Sequence, residues 1–194
     1  MKHQPVDNII TNDTLFFFDM DGTLVDTNKA NYLAYNKAVQ SVMHSQSDLI
    51  YDPDKRVNRS ILKSSIPYLT EVDYQRIIIE KEKYYSDFLN EMKLIDENIN
   101  ILNKYSETHK TFLVTNCRKD RAMSTLSYFG LASRFTEIYF REFGAEGEKI
   151  NKYKNAISIL GVSPKRIIVF ENEESEIIAA KDAGIEIINP KIYI

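Results

Sequence analysis

Apolar runs and apolar stripes alternate along this chain, and the places where one gives way to the other mark its elements. Leu15, Phe16, Phe17 and Phe18 stand in a row, with polar residues before them and Asp19-Met20-Asp21-Gly22 after them. Such a run is expected of a short strand buried on both faces of a parallel sheet. A βαβ crossover takes roughly 30 residues, yet the next comparable run, Thr111 to Thr115 (TFLVT), lies much further on. The excess reads as an insertion. Within it Ala30, Leu33, Ala34, Ala38 and Val42 recur at three- and four-residue spacing, as do Tyr74, Ile77, Ile78, Tyr85, Phe88, Leu89 and Met92, which predicts two amphipathic helices. Val57, Ile61, Leu62 and Ile66 predict a shorter helix stopped at Pro67. No glycine occurs between Gly22 and Gly130, which favours continuous helices over loops. Residues Ile95 to Glu107 read as a helix that returns the chain to the main sheet.

From TFLVT onward the alternation is regular. A helix through Arg121, Met123, Leu126 and Phe129 ends near Gly130, a strand follows over Glu137 to Phe140, and a helix over Ile150 to Leu160 closes at Gly161. Arg166 to Phe170 (RIIVF) is the next strand, then a helix over Ser175 to Ala183 ended by Gly184, then a strand over Ile185 to Ile188. Strands alternating with helices predict an α/β protein with a doubly wound parallel sheet. The expected division is a core of residues 1–27 and 93–194 and an inserted all-α cap of residues 28–92. Residues 1–13, polar and without period, read as a loose lead-in.

Composition narrows the class. With 194 residues, 43% of them hydrophobic, the chain can bury one good core and carry a small second domain. The net charge is −3 and the basic residues are scattered among acids, which argues against a nucleic-acid surface. A single cysteine, Cys117, excludes an internal disulfide framework and fits a reducing compartment. No signal-like N-terminus and no run of 18 apolar residues occurs, so the expectation is a cytoplasmic protein without a membrane partner. Oligomeric state is not readable.

In a parallel sheet the C-terminal strand ends gather in one place, and ligands bind there. The residues at those ends form a set: Asp19 and Asp21, Thr115 and Asn116, Glu171 and Asn172. Asp19 and Asp21 are two apart, so their side chains point to one side while the chain stays extended. Close carboxylates suit nucleophile and acid/base roles or a shared cation; a bare DxD also reads as a solvated turn. A strand-end threonine likewise serves either turn chemistry or a phosphate.

Thirteen contiguous residues settle more than this. LFFFDMDGTLVDT closely resembles the first motif, hhhhDxDGTLxDT, of the haloacid dehalogenase-like (HAD) superfamily, most of whose members are phosphatases. Likewise, VFENEESEIIAAKDAG resembles the VFEDSxxGIxAAxxAG segment of its beta-phosphoglucomutase-like branch. The resemblance implies a subclass I member with a Rossmann-like core and a helical cap of the C1 type, in the beta-phosphoglucomutase and phosphoglycolate phosphatase branch. It further implies that Asp19 attacks phosphorus to form an aspartyl-phosphate, and that Asp21 protonates the leaving oxygen and then activates water. Thr115 and the Asn116 backbone N–H would hold the phosphate, with a lysine to neutralise it. Lys149, Lys152 and Lys154 all lie where that lysine is expected. Lys149, twelve residues before Gly161, is chosen on spacing, with Lys152 in reserve; the subgroup's usual Lys-Pro pair is missing.

Mg²⁺ is the implied cofactor, held by Asp19, Asp21 through its backbone carbonyl, Glu171 and Asn172. Asn172 stands where relatives carry aspartate, which removes one negative charge; Glu173, Glu174 and Glu176 are nearby acids. Related mutases carry a histidine at the position aligned with Asn31, which favours hydrolysis over phosphomutase chemistry. A catalytically weak protein binding a phosphorylated ligand or a protein partner is the other reading. Tyr32, Tyr35, Tyr84 and Tyr85 read as packing residues, and Arg56, Arg59 and Lys63 as a solvated face. The expected partner is a small phosphorylated metabolite, of the sugar phosphate or nucleotide class.

Overall fold

The computed structural model describes residues 10–45, 47–143 and 149–192. Of the expected lead-in, positions 1–9 lie outside the described residues; positions 11–14 form a turn closed by Thr14 N–H donating to the Thr11 carbonyl. The chain divides into two compact units, Met1–Val25 with Leu94–Ile194, and Asp26–Lys93. Among the described residues, no helix is long and apolar enough to cross a membrane.

The first unit is built on a five-stranded parallel sheet. Its strands are β1 (Leu15–Phe18), β4 (Lys110–Val114), β5 (Glu137–Tyr139), β6 (Ile167–Phe170) and β7 (Ile187–Ile188), in the order β5-β4-β1-β6-β7. The alternation of strand and helix thus gives the doubly wound α/β fold that it predicts. β1 is central: Leu15 pairs with Lys110 on one side and with Ile167 on the other, and Phe18 with Leu113 and Phe170. Both of its faces are covered. Leu15 and Phe17 join Phe112, Val114, Ile167 and Val169 in a cluster with Tyr153 and Ala156 of α6 (Lys152–Leu160) and Ala180 of α7 (Glu174–Asp182). On the other face Phe16 stacks on Tyr105 of α4 (Asp96–Tyr105) at 4.5 Å, and Phe18 stacks on Phe170 at 4.9 Å. Burying one such side chain is worth roughly 1.5–3 kcal/mol, so three phenylalanines anchor this short strand firmly. Helix α5 (Lys119–Tyr128) follows β4.

Ends differ from expectation by a residue or two, for local reasons. α6 begins at Lys152 and not at Ile150, because the Asn151 side chain caps it by accepting from the Tyr153 and Lys154 N–H groups. Gly161 ends it in the left-handed conformation at φ +63.

The second unit is helical: α1 (Asn28–Met43), α2 (Arg59–Ser65) and α3 (Glu71–Tyr84). Its core is Tyr35, Ala38, Val39 and Val42 of α1 against Leu62, Ile66, Tyr74 and Ile77. Caps place the last two helices, Asn58 for α2 and Thr70 for α3. The helix expected to run through Met92 ends as α-helix at Tyr84 and continues as a 3-10 segment over Tyr85–Glu91, broken at Phe88 with φ −119 and ψ 21. Two further strands, β2 (Val25–Asp26) and β3 (Lys93–Leu94), pair as a separate small sheet where the chain passes from one unit to the other.

Candidate active site

The sheet sets the site by carrying three strands to one edge. The Asp19 N–H donates to the Phe170 carbonyl at 3.0 Å, so the β1–β6 ladder holds the first acid at the strand's end, where its side chain is buried. The chain then folds back tightly, with Leu24 and Val25 N–H groups both donating to the Met20 carbonyl at 3.0 Å. Gly22 makes that turn possible. Its φ is +81, and a Cβ there would lie 2.4 Å from Asn172 Nδ2, a conformation and a closeness that other residues resist. The space is used by Asn172, whose Oδ1 accepts from the Thr23 hydroxyl at 3.1 Å.

Two cations meet the acids. Lys152, in the first turn of α6 and with its side chain only 4% exposed, donates to Asp19 Oδ1 at 2.6 Å and to Glu171 Oε2 at 2.7 Å. Glu171 is fixed from four directions: Oε2 also accepts from the Tyr153 hydroxyl at 2.7 Å, and Oε1 accepts the N–H groups of Asn172 and Glu173. Asn189 brackets its main chain, accepting from the Glu171 N–H and donating to the Glu171 carbonyl. Asp21 Oδ2 pairs with Arg121 of α5 at 2.7 Å.

Lys149, the lysine chosen on spacing, pairs with Glu176 at 2.5 Å, and its side chain is 53% exposed. The lysine beside Asp19 is Lys152. Thr115 is buried just past β4, and its Oγ1 accepts the Cys117 N–H at 3.1 Å. Asn116 adds to the lowering of Glu176, a buried acid that also lies 3.9 Å from Lys152. Tyr153, Arg121 and Asn189 were not singled out by the sequence. Arg121 alone left a signal, as a charged residue on the apolar stripe of its helix.

Burial pushes the Asp19 carboxyl up to about 7; Lys152 pulls against that rise, while Glu171 and Asp21 add to it. Burial alone would lower Lys152, but the facing Asp19 and Glu171 charges raise it above the ordinary lysine value. Burial and the Glu171 charge keep the Tyr153 hydroxyl well above its usual range. Glu176 is lowered: burial raises it, and Lys149, Lys152 and Asn116 outweigh that.

The donors expected for Mg²⁺ are all oxygens, from the Asp19 and Glu171 carboxylates, the Asp21 main-chain carbonyl and the Asn172 amide, a set suited to a hard divalent cation. The close seat of Asn172 on Gly22 brings that amide to the turn carrying Asp21, so the residues present fit the ion. Among the described residues no group of three or more His, Cys, Asp or Glu gathers as a metal cluster.

Known proteins resemble this chain in sequence and in fold. The family profile described as haloacid dehalogenase-like hydrolase matches residues 16–189. A "Phosphorylated carbohydrates phosphatase" of Thermotoga maritima is 27% identical over 179 residues, covering 87% of this chain and 81% of that protein. Among solved structures, a Thermotoga maritima protein assigned as a beta-phosphoglucomutase superposes with a TM-score of 0.63 at 26% identity, covering 90% of this chain and 83% of that one. CbbY from Rhodobacter sphaeroides, solved in complex with phosphate, gives 0.68 at 17% identity over 93% and 87%.

Proposed function

The chain belongs to the haloacid dehalogenase-like hydrolases, and on that premise we propose that it is a phosphatase acting on a small phosphate monoester through an aspartyl-phosphate on Asp19. The observation that carries the reading is the buried Asp19 at the end of β1, bridged by Lys152 to Glu171. In this reading the unit Met1–Val25 with Leu94–Ile194 holds the chemistry, and the helical unit Asp26–Lys93 is the cap.

Asp19 attacks phosphorus and the ester oxygen leaves with a proton from Asp21; Asp21 then takes a proton from water, which displaces Asp19 and releases phosphate. Thr115 and the Asn116 N–H offer hydrogen bonds to the phosphoryl oxygens, and Lys152, in place of Lys149, supplies positive charge beside the nucleophile. Asp19, the Asp21 carbonyl, Glu171 and Asn172 would hold Mg²⁺, which would supply further positive charge for the phosphoryl group and favour the ionised form of Asp19.

The substrate class we propose is a phosphorylated carbohydrate, on the strength of the Thermotoga maritima relative. Hydrolysis is favoured over phosphomutase chemistry by Asn31, at the position aligned with the mutases' histidine. Asn31 is buried and spends its amide on the Val57 carbonyl at 2.6 Å.

The test is release of inorganic phosphate from p-nitrophenyl phosphate and a panel of sugar phosphates, with Mg²⁺ or with EDTA. Metal-dependent turnover lost in Asp19→Asn is the expected result. A chain that binds these esters and turns none of them over is a binding protein, and the proposal fails.

A further inference from the structure

We propose that Arg121 is a positioning residue for Asp21, an inference that rests on the phosphatase reading of the site. Arg121 lies in the first turn of α5, which starts at Lys119 after its N-cap Arg118. That turn presents unsatisfied N–H groups, and the helix dipole there favours anions. A guanidinium so placed runs against the dipole. It is also largely buried, with its side chain 12% exposed, although arginine seldom leaves solvent unless it is paired. There it pairs with Asp21, whose own side chain is 14% exposed and whose Oδ2 lies 2.7 Å from Arg121 Nη2.

The guanidinium is itself held. Arg121 Nε donates to Cys117 Sγ at 2.8 Å. Cys117 is buried one residue past Asn116; its N–H donates to Thr115 Oγ1 and its carbonyl accepts the Arg141 N–H. A planar fork fixed at one nitrogen by the loop after β4 sets, through another nitrogen, the rotation of a carboxylate in the turn after β1. Arg121 therefore ties the loop that carries the phosphate donors to the turn that carries the acid/base. An acid/base group works only within hydrogen-bond reach of the oxygen it serves, and a displacement of about 1 Å costs on the order of 100-fold in rate. The arginine touches neither substrate nor reacting atoms in this account and acts through Asp21.

The experiment is a double-mutant cycle on the full chain with Mg²⁺ and p-nitrophenyl phosphate, using Arg121→Met, Arg121→Lys, Asp21→Asn and the two combinations. Asp19→Asn serves as the control for the phosphatase reading. Arg121→Met is expected to lower kcat by about 10- to 100-fold with KM changed by less than about twofold. Arg121→Lys should recover part of the loss, since charge returns and the fork does not. In the Asp21→Asn background, where residual turnover is followed with enzyme in excess, Arg121→Met should change the rate by less than about twofold. An equal fall in both backgrounds overturns the inference, as does a raised KM with kcat unchanged, which would mark Arg121 as a substrate-binding group. Should Arg121→Met lose its cooperative unfolding transition, the same comparison is made with Arg121→Lys: a loss confined to the Asp21 background supports the assignment, and equal losses refute it. An active, Asp19-dependent enzyme with additive losses defeats this inference alone. A parent chain without turnover, or turnover that survives Asp19→Asn, defeats the phosphatase reading and the assignment with it.

Discussion

Replacing Lys152 with methionine keeps most of the side chain's length and removes the cation that touches both Asp19 and Glu171. Unit charges about 4 Å apart interact with roughly 4 kcal/mol at an effective dielectric of about 20. Deleting one partner of a buried pair typically costs about 3–5 kcal/mol, because the other charge is left uncompensated. Protonation limits that cost at Asp19, whose folded pKa is raised to about 7. A raised carboxyl binds its proton more tightly in the folded state, so its contribution to stability is complete below the ordinary value of 3.8 and is lost as pH rises through 7. Without Lys152 the same carboxyl stays protonated to still higher pH. The stability gap between parent and Lys152→Met should therefore change little between pH 5 and 6 and widen above pH 7, by up to about 1.4 kcal/mol per unit. Denaturant unfolding in EDTA at pH 6, 7, 8 and 9 measures it directly. Lys149→Met is the contrast: its cation is half exposed, and its loss should cost less than about 1 kcal/mol. In the phosphatase assay Lys152→Met should lose about 10²- to 10³-fold in kcat. A gap that narrows from pH 7 to 9, or a Lys149 variant weaker than the Lys152 variant in both assays, would refute the reasoning.

Three further outcomes follow from the same geometry. Asn172→Asp restores a negative charge beside the Gly22 turn and should lower the Mg²⁺ concentration for half-maximal activity by about tenfold, read from a metal titration of phosphate release. Gly22→Ala places a Cβ within 2.4 Å of Asn172 Nδ2 at φ +81; it should cost at least about 1–2 kcal/mol from the backbone alone and abolish activity through displacement of Asn172. Tyr153→Phe deletes the hydroxyl that donates to Glu171 Oε2 and should cost about 1.5–3 kcal/mol in thermal unfolding, with the far-UV spectrum unchanged.

The central sheet was legible because its signals are local and redundant. Four consecutive apolar residues bounded by acid and glycine predict β1 to the residue, Leu15–Phe18, and the alternation beyond it predicts a parallel sheet. Residues at strand ends could be named for the same reason, since topology alone gathers them. What sequence could not weigh was which neighbour turns inward. Lys149 and Lys152 are three apart and equally basic, and spacing from Gly161 does not separate them. The separation lies in the Asn151 cap, which starts α6 at Lys152 and sends that lysine, and not its neighbour, to Asp19. In the sequence Arg121 reads as one more position on a helix stripe, although a charged residue on a buried stripe asks for a partner. That partner, Asp21, is a hundred residues away. The break at Phe88 was hidden because apolar spacing persists from an α-helix into the 3-10 segment that follows.

The central place of β1 also decides when the site comes into being. β1 has no partner for either edge until β4 and then β6 have been made, since Phe18 pairs with Leu113 and Phe170. Until then a run of three phenylalanines waits in a nascent chain, an exposed β-prone segment of the kind chaperones shield. Asp19 and Asp21 are translated more than a hundred residues before Lys152 and Glu171. Pairings of such long sequence separation make for slow folding. A ribosome-bound fragment ending before β6 would therefore carry both aspartates without Glu171, so the cluster of Asp19, Lys152 and Glu171 closes only once β6 has been made.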